Sequence, residues 1–260
     1  MSTANPAIGE VATTSPNWAS TIKGNHPEID EAATMPSVRN SSYESTKRWL
    51  DFALALVILF FTAPISILGL ILVRLSSRGS LTYTQKRLGL RGKVFTIYKL
   101  RTMYEDSERD GVARWCVPGD HRVTPIGWWL RWTHVDELPQ LINVLKGEMS
   151  LVGPRPERPE FLDQLERALP NYRQRLTVRP GVTGLAQVQQ PPDTDLSSVS
   201  RKLNCDLCYV ERMSFWLDVR VMAGTVLKCL GVPFSLIGRI LQLPDPNADR
   251  VCESLLTNPS

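Results

Sequence analysis

Between Phe52 and Tyr104 the chain has neither aspartate nor glutamate. The same stretch carries Arg74, Arg78, Lys86, Arg87, Arg91, Lys93, Lys99 and Arg101, so a net charge of only +4 conceals a strongly basic zone. Such a zone beside an apolar run points to anionic headgroups or a phosphate substrate. That adjacency disfavours a nucleic-acid partner. Cysteine is scarce and odd in number, at five, which argues against a disulfide framework and fits a reducing compartment. Cys205 and Cys208 form a C-x-x-C, but no second pair and no histidine pair follows to complete a structural zinc site. The histidines, His26, His121 and His134, are isolated in sequence. There is no G-x-G-x-x-G after a strand, no Walker A sequence and no G-x-S-x-G, which leaves dinucleotide, P-loop and nucleophile-elbow readings unsupported. Large apolar residues are nearly missing from residues 1–46, which read as a disordered tail with no signal-peptide core. There is no internal repeat.

What is present is an ordinary globular composition, 43% hydrophobic and 22% charged, with one long apolar run. Phe52 to Val73 contains no charge. As a helix it would extend about 33 Å, enough to cross a hydrocarbon core of roughly 30 Å. Pro64 lies near its middle and removes a helix hydrogen bond. Lys47 and Arg48 precede the run and Arg74 and Arg78 follow it, and basic flanks on both sides fit two ends on one membrane face. A re-entrant helix broken at Pro64 is the favoured reading, and a spanning anchor is the simpler alternative.

Beyond Gly79 the residues LTYT and VFTIY, separated by a turn containing Gly89 and Gly92, predict a β-hairpin. Ile126 to Trp132 predicts a short helix whose tryptophans, Trp128, Trp129 and Trp132, suit a membrane interface or a core. Helices are predicted over Asp136 to Lys146, Pro159 to Leu169 and Leu203 to Leu230, the last either amphipathic on the membrane or part of the core. The fold class is α+β and mainly helical: a re-entrant helix, a small hairpin and amphipathic interfacial helices around a site. The expected divisions are a tail (1–46), a membrane helix (47–75), a catalytic domain (76–231) and a C-terminal amphipathic segment with a tail (232–260).

Asp136-Glu137 is the most informative pair. By spacing alone it serves as a helix start, with Asp as N-cap and Glu matched to the dipole. The same geometry lets two carboxylates converge at a terminus whose free N–H groups favour phosphate. A cation such as Mg²⁺ would be needed to bring phosphate to carboxylates. Basic residues recur in short loops: Lys99-Leu-Arg-Thr-Met, Arg131, Gly153-Pro-Arg-Pro around Arg155, and Arg179-Pro-Gly-Val-Thr-Gly. Arginine forks match phosphate oxygens, and prolines reduce the entropy lost on holding an anion.

Four blocks, KRWLDFALAL, QKRLGLRGKVFTIYKLRTM, DHRVTPIGWWLRWTHVDELPQLINVLKGEMSLVGPRPE and RPGVTGLAQV, together resemble the bacterial sugar transferase family, the monotopic phosphoglycosyl transferases, over about Lys47 to Gly231. The chain resembles that family's small form. The resemblance implies transfer of a sugar-1-phosphate from a UDP-sugar to undecaprenyl or another polyprenyl phosphate, with release of UMP, as a first membrane step of exopolysaccharide or related glycan synthesis. It implies Asp136 as nucleophile, Glu137 assisting through the metal or by proton handling, and Mg²⁺ held by Asp136 and Glu137. Lys99, Arg101, Thr102, Arg131, Arg155 and Arg179 would bind substrate phosphates, and Pro64 would be the membrane pivot. The implied partners are inner-membrane lipids and downstream glycosyltransferases. The implied location is the bacterial cytoplasmic membrane, with the catalytic domain on its cytoplasmic face. Three departures stand out. The helix break reads Ala63-Pro64 where the family has Ser-Pro, with Thr62 as a substitute hydroxyl. Thr133-His134-Val135 precedes the dyad in place of Ser-Leu. The stretch after GLAQV reads QQPPDTDLSSVSRKLNCD and lacks an aligned arginine, for which Arg201 and Lys202 are the replacements at hand. A catalytically silent membrane adaptor is the competing function.

Overall fold

A computed structural model describes residues 41–105, 107, 119–169, 171–191 and 196–245. The tail expected over residues 1–40 and the final residues from 246 lie outside the described residues. The fold is mainly helical with two small sheets.

The expected hairpin is present. Strands β1 (Thr82–Leu88) and β2 (Val94–Leu100) pair antiparallel, with Thr82 opposite Leu100 and Leu88 opposite Val94. The turn uses left-handed backbone at Arg91 and Gly92. Along β2, Phe95 and Ile97 turn inward, as strand alternation requires. The free edge of β2 is closed by a side chain. Asn143, fully buried, donates its amide to the Thr96 carbonyl (2.7 Å) and accepts from the Tyr98 N–H (3.2 Å). An edge strand must satisfy such groups or leave them open to foreign pairing. Asn143 belongs to helix α3 (Gln140–Lys146), which follows α2 (Pro125–Trp132). The amide bridge therefore fixes α3 against the end of β2.

A second sheet was not legible in the sequence. Strand β3 (Ser150–Val152) pairs parallel with β4 (Gly181–Thr183), and each has three residues. Its glycines explain the RPGVTG motif. A Cβ on Gly153 would collide with the Arg179 carbonyl, one on Gly181 with the Gly153 amide, and one on Gly184 with the Gly153 carbonyl. Only glycine permits this backbone-to-backbone approach.

Helix α1 runs from Ser41 to Ser76 without interruption, so Pro64 lies inside one continuous helix and no break is assigned there. Proline costs a single hydrogen bond at this point, and two residues earlier the Thr62 hydroxyl donates to the Ile58 carbonyl (2.8 Å). One face of α1 is docked. Near its start Lys47 meets Asp218 at 2.5 Å, and Asp51 accepts from the Ser150 hydroxyl at 2.6 Å. Tyr43 and Tyr209 also donate to Asp218, each at 2.7 Å. Beyond Pro64, Gly69 lies against the side chains of Leu100, Val135 and Leu130, and Val73 is buried with Leu100 and Leu130. The opposite face is bare, with Trp49, Phe60, Phe61 and Leu75 each at least 70% exposed. A soluble domain rarely leaves an apolar strip of this length uncovered.

Two helices replace the single one expected over Leu203 to Leu230. Helices α4 (Leu162–Ala168) and α5 (Leu185–Gln189) precede them. Helix α6 (Leu196–Arg212) ends before Ser214, which caps α7 (Phe215–Cys229) by accepting from the Leu217 N–H. The departing stretch after GLAQV therefore runs, from Leu196, into α6. Cys205 and Cys208 are buried in the core on α6. Helix α8 (Phe234–Ile240) closes the described fold.

Lys47 and Asp218 are both nearly buried, with side chains 8% and 7% exposed. Lys47→Met should leave the Asp218 charge buried without its cation and lower folding stability by about 3 kcal/mol. Thermal and denaturant unfolding of the full chain in detergent would measure the loss; an unchanged midpoint would show that the lock does not hold α1.

Candidate active site

The chain leaves α2 at Trp132 and turns through His134, whose φ of 57° lies in the left-handed region. Histidine tolerates that region better than most side chains. A 3-10 turn, Val135–Glu137, then leads into α3. Val135 packs toward Gly69 of α1, so the turn that bears the dyad rests on the apolar helix. Asp136 is buried, and its Oδ1 atom has no hydrogen-bond partner.

Glu137 is held by two cations. Lys99 at the end of β2 donates to its Oε1 (2.8 Å), and Arg155 forks onto Oε1 (2.6 Å) and Oε2 (3.3 Å). The two acids are therefore driven apart. Burial, then the neighbouring Glu137 charge, pushes the Asp136 carboxyl up to about 6, and Lys99 and Arg131 only partly oppose this. Burial would also raise Glu137, but Arg155 and Lys99 outweigh it and hold that carboxyl well below the usual range. Glu137 so placed stays ionised near neutral pH. It suits an electrostatic role better than proton carriage, while Asp136 is the carboxylate with an open oxygen.

The Arg155 loop is itself anchored. Arg175, buried and paired with Asp206 at 2.7 Å, donates to the Arg155 carbonyl (2.8 Å). Arg87 donates to the Pro156 carbonyl (3.0 Å), and the Leu88 N–H to the Glu157 carbonyl (2.8 Å). In sequence Arg87 is only one member of the basic zone and Arg175 does not stand out, because nothing local distinguishes an arginine that orders another arginine's backbone.

Of the other expected binding residues, Arg131 and Thr102 meet, with Arg131 Nε on the Thr102 hydroxyl at 2.7 Å. The Arg131 charge reaches Asp136. Gly127 brings α2 against the Thr102 carbonyl, where a Cβ would collide. Arg101 turns instead to the end of α1, bonding the Ser77 carbonyl (2.9 Å) and hydroxyl (2.8 Å), although its Nε and Nη1 atoms are buried without partners. Arg179 is not brought to the dyad. It binds the Gly147 carbonyl (3.2 Å) and Glu44 (3.2 Å), and lines a cavity with Arg48 and Asp51 beneath α1. Gly147 caps the C-terminal end of α3, whereas the dyad precedes its N-terminal end. Arg201 reaches Ser197 of its own helix (3.2 Å) and is exposed.

Mg²⁺ needs oxygen donors in a near-octahedral array. No group of three or more His, Cys, Asp or Glu side chains gathers among the described residues. Asp136 offers a buried, unpartnered oxygen, and Mg²⁺ characteristically takes one or two carboxylates and completes its shell from substrate phosphates and water. Glu137 is already engaged by Lys99 and by Arg155, whose side chain is 43% exposed. The residues fit the ion, with Asp136 as the readier ligand.

The sequence profile described as bacterial sugar transferase matches residues 42–231. The chain is 40% identical over 188 residues to the UDP-N-acetylgalactosamine-undecaprenyl-phosphate N-acetylgalactosaminephosphotransferase of Aeromonas hydrophila, covering 72% of this chain and 44% of that protein. It is 38% identical over 187 residues to the undecaprenyl-phosphate glucose phosphotransferase of Komagataeibacter xylinus, covering 70% and 35%. Against the UDP-glucose:undecaprenyl-phosphate glucose-1-phosphate transferase of Caulobacter vibrioides the identity is 39% over 186 residues, covering 71% and 69%. The match spans less than half of the Aeromonas and Komagataeibacter proteins.

The dyad can be followed without a substrate. Carbon-13 NMR of aspartate-labelled protein should show a carboxyl titrating near pH 6 that disappears in Asp136→Asn. Removing a nearby cation disfavours the ionised form, so Lys99→Met should move that midpoint upward. A midpoint near 4 in the wild type would refute the assignment.

Proposed function

The chain belongs to the bacterial sugar transferase family, and on that premise we propose that it is a phosphoglycosyl transferase. It takes a sugar-1-phosphate from a UDP-sugar, places it on undecaprenyl phosphate and releases UMP. The observation that carries this reading is the split dyad: one buried carboxylate with an open oxygen beside a second that cations keep ionised. Membership alone would equally suit a silent adaptor, which has no use for such a pair.

In this reading an Asp136 oxygen attacks the donor's β-phosphorus. The bond from that phosphorus to the bridging oxygen breaks, and UMP departs with the bridging oxygen and its electron pair. The sugar phosphate remains on Asp136 as an acyl phosphate. An oxygen of the polyprenyl phosphate then attacks the same phosphorus, forming the lipid diphosphosugar and restoring the carboxylate. Dividing the transfer replaces one encounter between two polyanions with two smaller ones. A basicity near 6 leaves Asp136 ionised at neutral pH yet more nucleophilic than an ordinary aspartate. Arg131, Lys99 and Arg155 neutralise the phosphates, and Arg155 swings from Glu137 as they enter. Asp136 with Glu137 would hold Mg²⁺, whose charge would neutralise the diphosphate.

The same reading places α1 in the cytoplasmic membrane as a re-entrant element. Lys47 and Asp51 before the apolar run, Val73 at its end and Ser77 after it dock on one folded unit, which favours both ends on the cytoplasmic face. Trp128, Trp129 and Trp132 on α2, with Phe215 and Trp216 on α7, are exposed and would lie at the headgroup level.

Asp136→Asn should lower UMP release by roughly a thousandfold or more while leaving expression and membrane association intact. Mass spectrometry should find a phosphosugar on Asp136 of the wild type after brief exposure to donor. Release of UDP, or full turnover by the variant, would overturn the mechanism. For topology, single cysteines at Ser45 and Ser80 should both label from the cytoplasmic side. Labelling from opposite sides would establish a spanning helix.

A further inference from the structure

Lys228 sits in the last turn of α7, where a lysine ordinarily serves its own helix's free carbonyls. It does not do so here. Its ammonium donates to the Gln187 carbonyl of α5 at 3.0 Å and faces the Phe234 ring of α8 at 5.7 Å. Among the described residues Gln187 is its one hydrogen-bond acceptor, and it forms no ion pair. An ammonium has three donors, so two are left to offer.

The surroundings place it at the site. A Cβ on Gly184 would approach Gln187 Oε1 and collide with the Gly153 carbonyl, so the segment that holds Lys228 abuts the Gly153-Pro-Arg155 loop. Lys228 is near enough to Arg155 and Glu137 for both charges to act on it, and it acts in turn on His134. Burial pushes its ammonium down, and Arg155 and Lys202 push it further. Cations gathered against their mutual repulsion gain from an anion between them. Lys99, Arg131, Arg155 and Lys228 outnumber Asp136 and Glu137 by two charges, before any phosphate enters.

Helix α8 keeps Lys228 in place. Gly224, one turn before it on α7, has no side chain, so Ile237 and Leu241 press against the α7 backbone. Ile237 is fully buried there. Gln189 and Arg220 reach across to the Pro244 and Gln242 carbonyls. Helix α8 lies beyond the residues that match the family, 42–231, so the Phe234 side of the clamp comes from outside them and the Gln187 side from within.

We propose that Lys228, clamped between the Gln187 carbonyl and Phe234, is a further binding residue of this site and takes a phosphate oxygen, of the donor's diphosphate or of the lipid acceptor. The assignment rests on the transferase reading. The test uses the full chain in detergent with Mg²⁺. UDP serves as the donor probe by equilibrium dialysis, and undecaprenyl phosphate as the acceptor probe by native mass spectrometry. Lys228→Gln keeps a donor for Gln187 but removes the charge. It should weaken one probe by roughly tenfold or more, and Lys228→Arg should restore most of that affinity. The probe that weakens identifies the phosphate; a loss for both means the two pass through one subsite. Wild-type binding of both probes with neither changed beyond about twofold in Lys228→Gln overturns the role of Lys228 and leaves the transferase reading standing. Wild-type binding of neither overturns the transferase reading itself. If Lys228→Gln lowers the unfolding midpoint, Lys228→Met repeats the test. Affinity lost only along with that midpoint counts against the proposal.

Discussion

Two carboxylates joined by one peptide bond cannot both stay ionised in a buried place unless cations are brought to them, and that requirement organises this protein. Asp136 and Glu137 recruit cations from elements far apart in sequence: Lys99 from the hairpin, Arg131 from α2 and Arg155 from the loop after β3. Each cation needs a rigid support. Asn143 fixes the hairpin's end, Gly127 brings α2 close to Thr102, and the parallel pair of β3 and β4 seats the arginine loop. Because Lys99 and Arg155 both settle on Glu137, the cost of burial falls on Asp136. This asymmetry separates one ordinary-looking dipeptide into a carboxylate held ionised by cations and a buried one with an open oxygen.

The apolar helix belongs to the same framework. Gly69 and Val73 pack beneath the dyad's turn and the end of β2, while Lys47 and Asp51 tie the other end of α1 to Asp218 and Ser150. Glycine at position 69 lets Leu100 and Val135 approach the helix backbone. In the proposed reading, the bare outer face of α1 and the exposed tryptophans of α2 follow from a site built on a membrane segment, so that a lipid-borne phosphate would reach Asp136 without leaving the bilayer surface. Under the proposed reaction, the water-soluble partner must come to the membrane.

Where the family's arginine after GLAQV is lacking, the chain continues into α6, and α8 packs across α5 and α7 to hold Lys228. Phosphate binding needs positive charge at a place in space, not at a place in sequence, and in the proposed reading Lys228 adds such a charge from outside the short loops that carry the arginines.

The sequence by itself determined the apolar run and its basic flanks, the hairpin, the dyad at the head of α3 and the loops that carry the arginines, because each is a local pattern of period, charge or turn chemistry. Tertiary structure alone decided which of those arginines meet the dyad. Arg155 reaches Glu137, whereas Arg179, in an equally suggestive motif, goes to Glu44 and Gly147 at the far end of α3. The glycines of RPGVTG looked like a phosphate loop and proved to be the close contact of two three-residue strands, which are too short to show an alternation. Ser214 divides a helix that periodicity runs together, since a cap stands out only once the chain has turned. Long-range placement depends on which backbones can approach one another and which buried charges must be paired. Neither is written in the neighbours of any one residue.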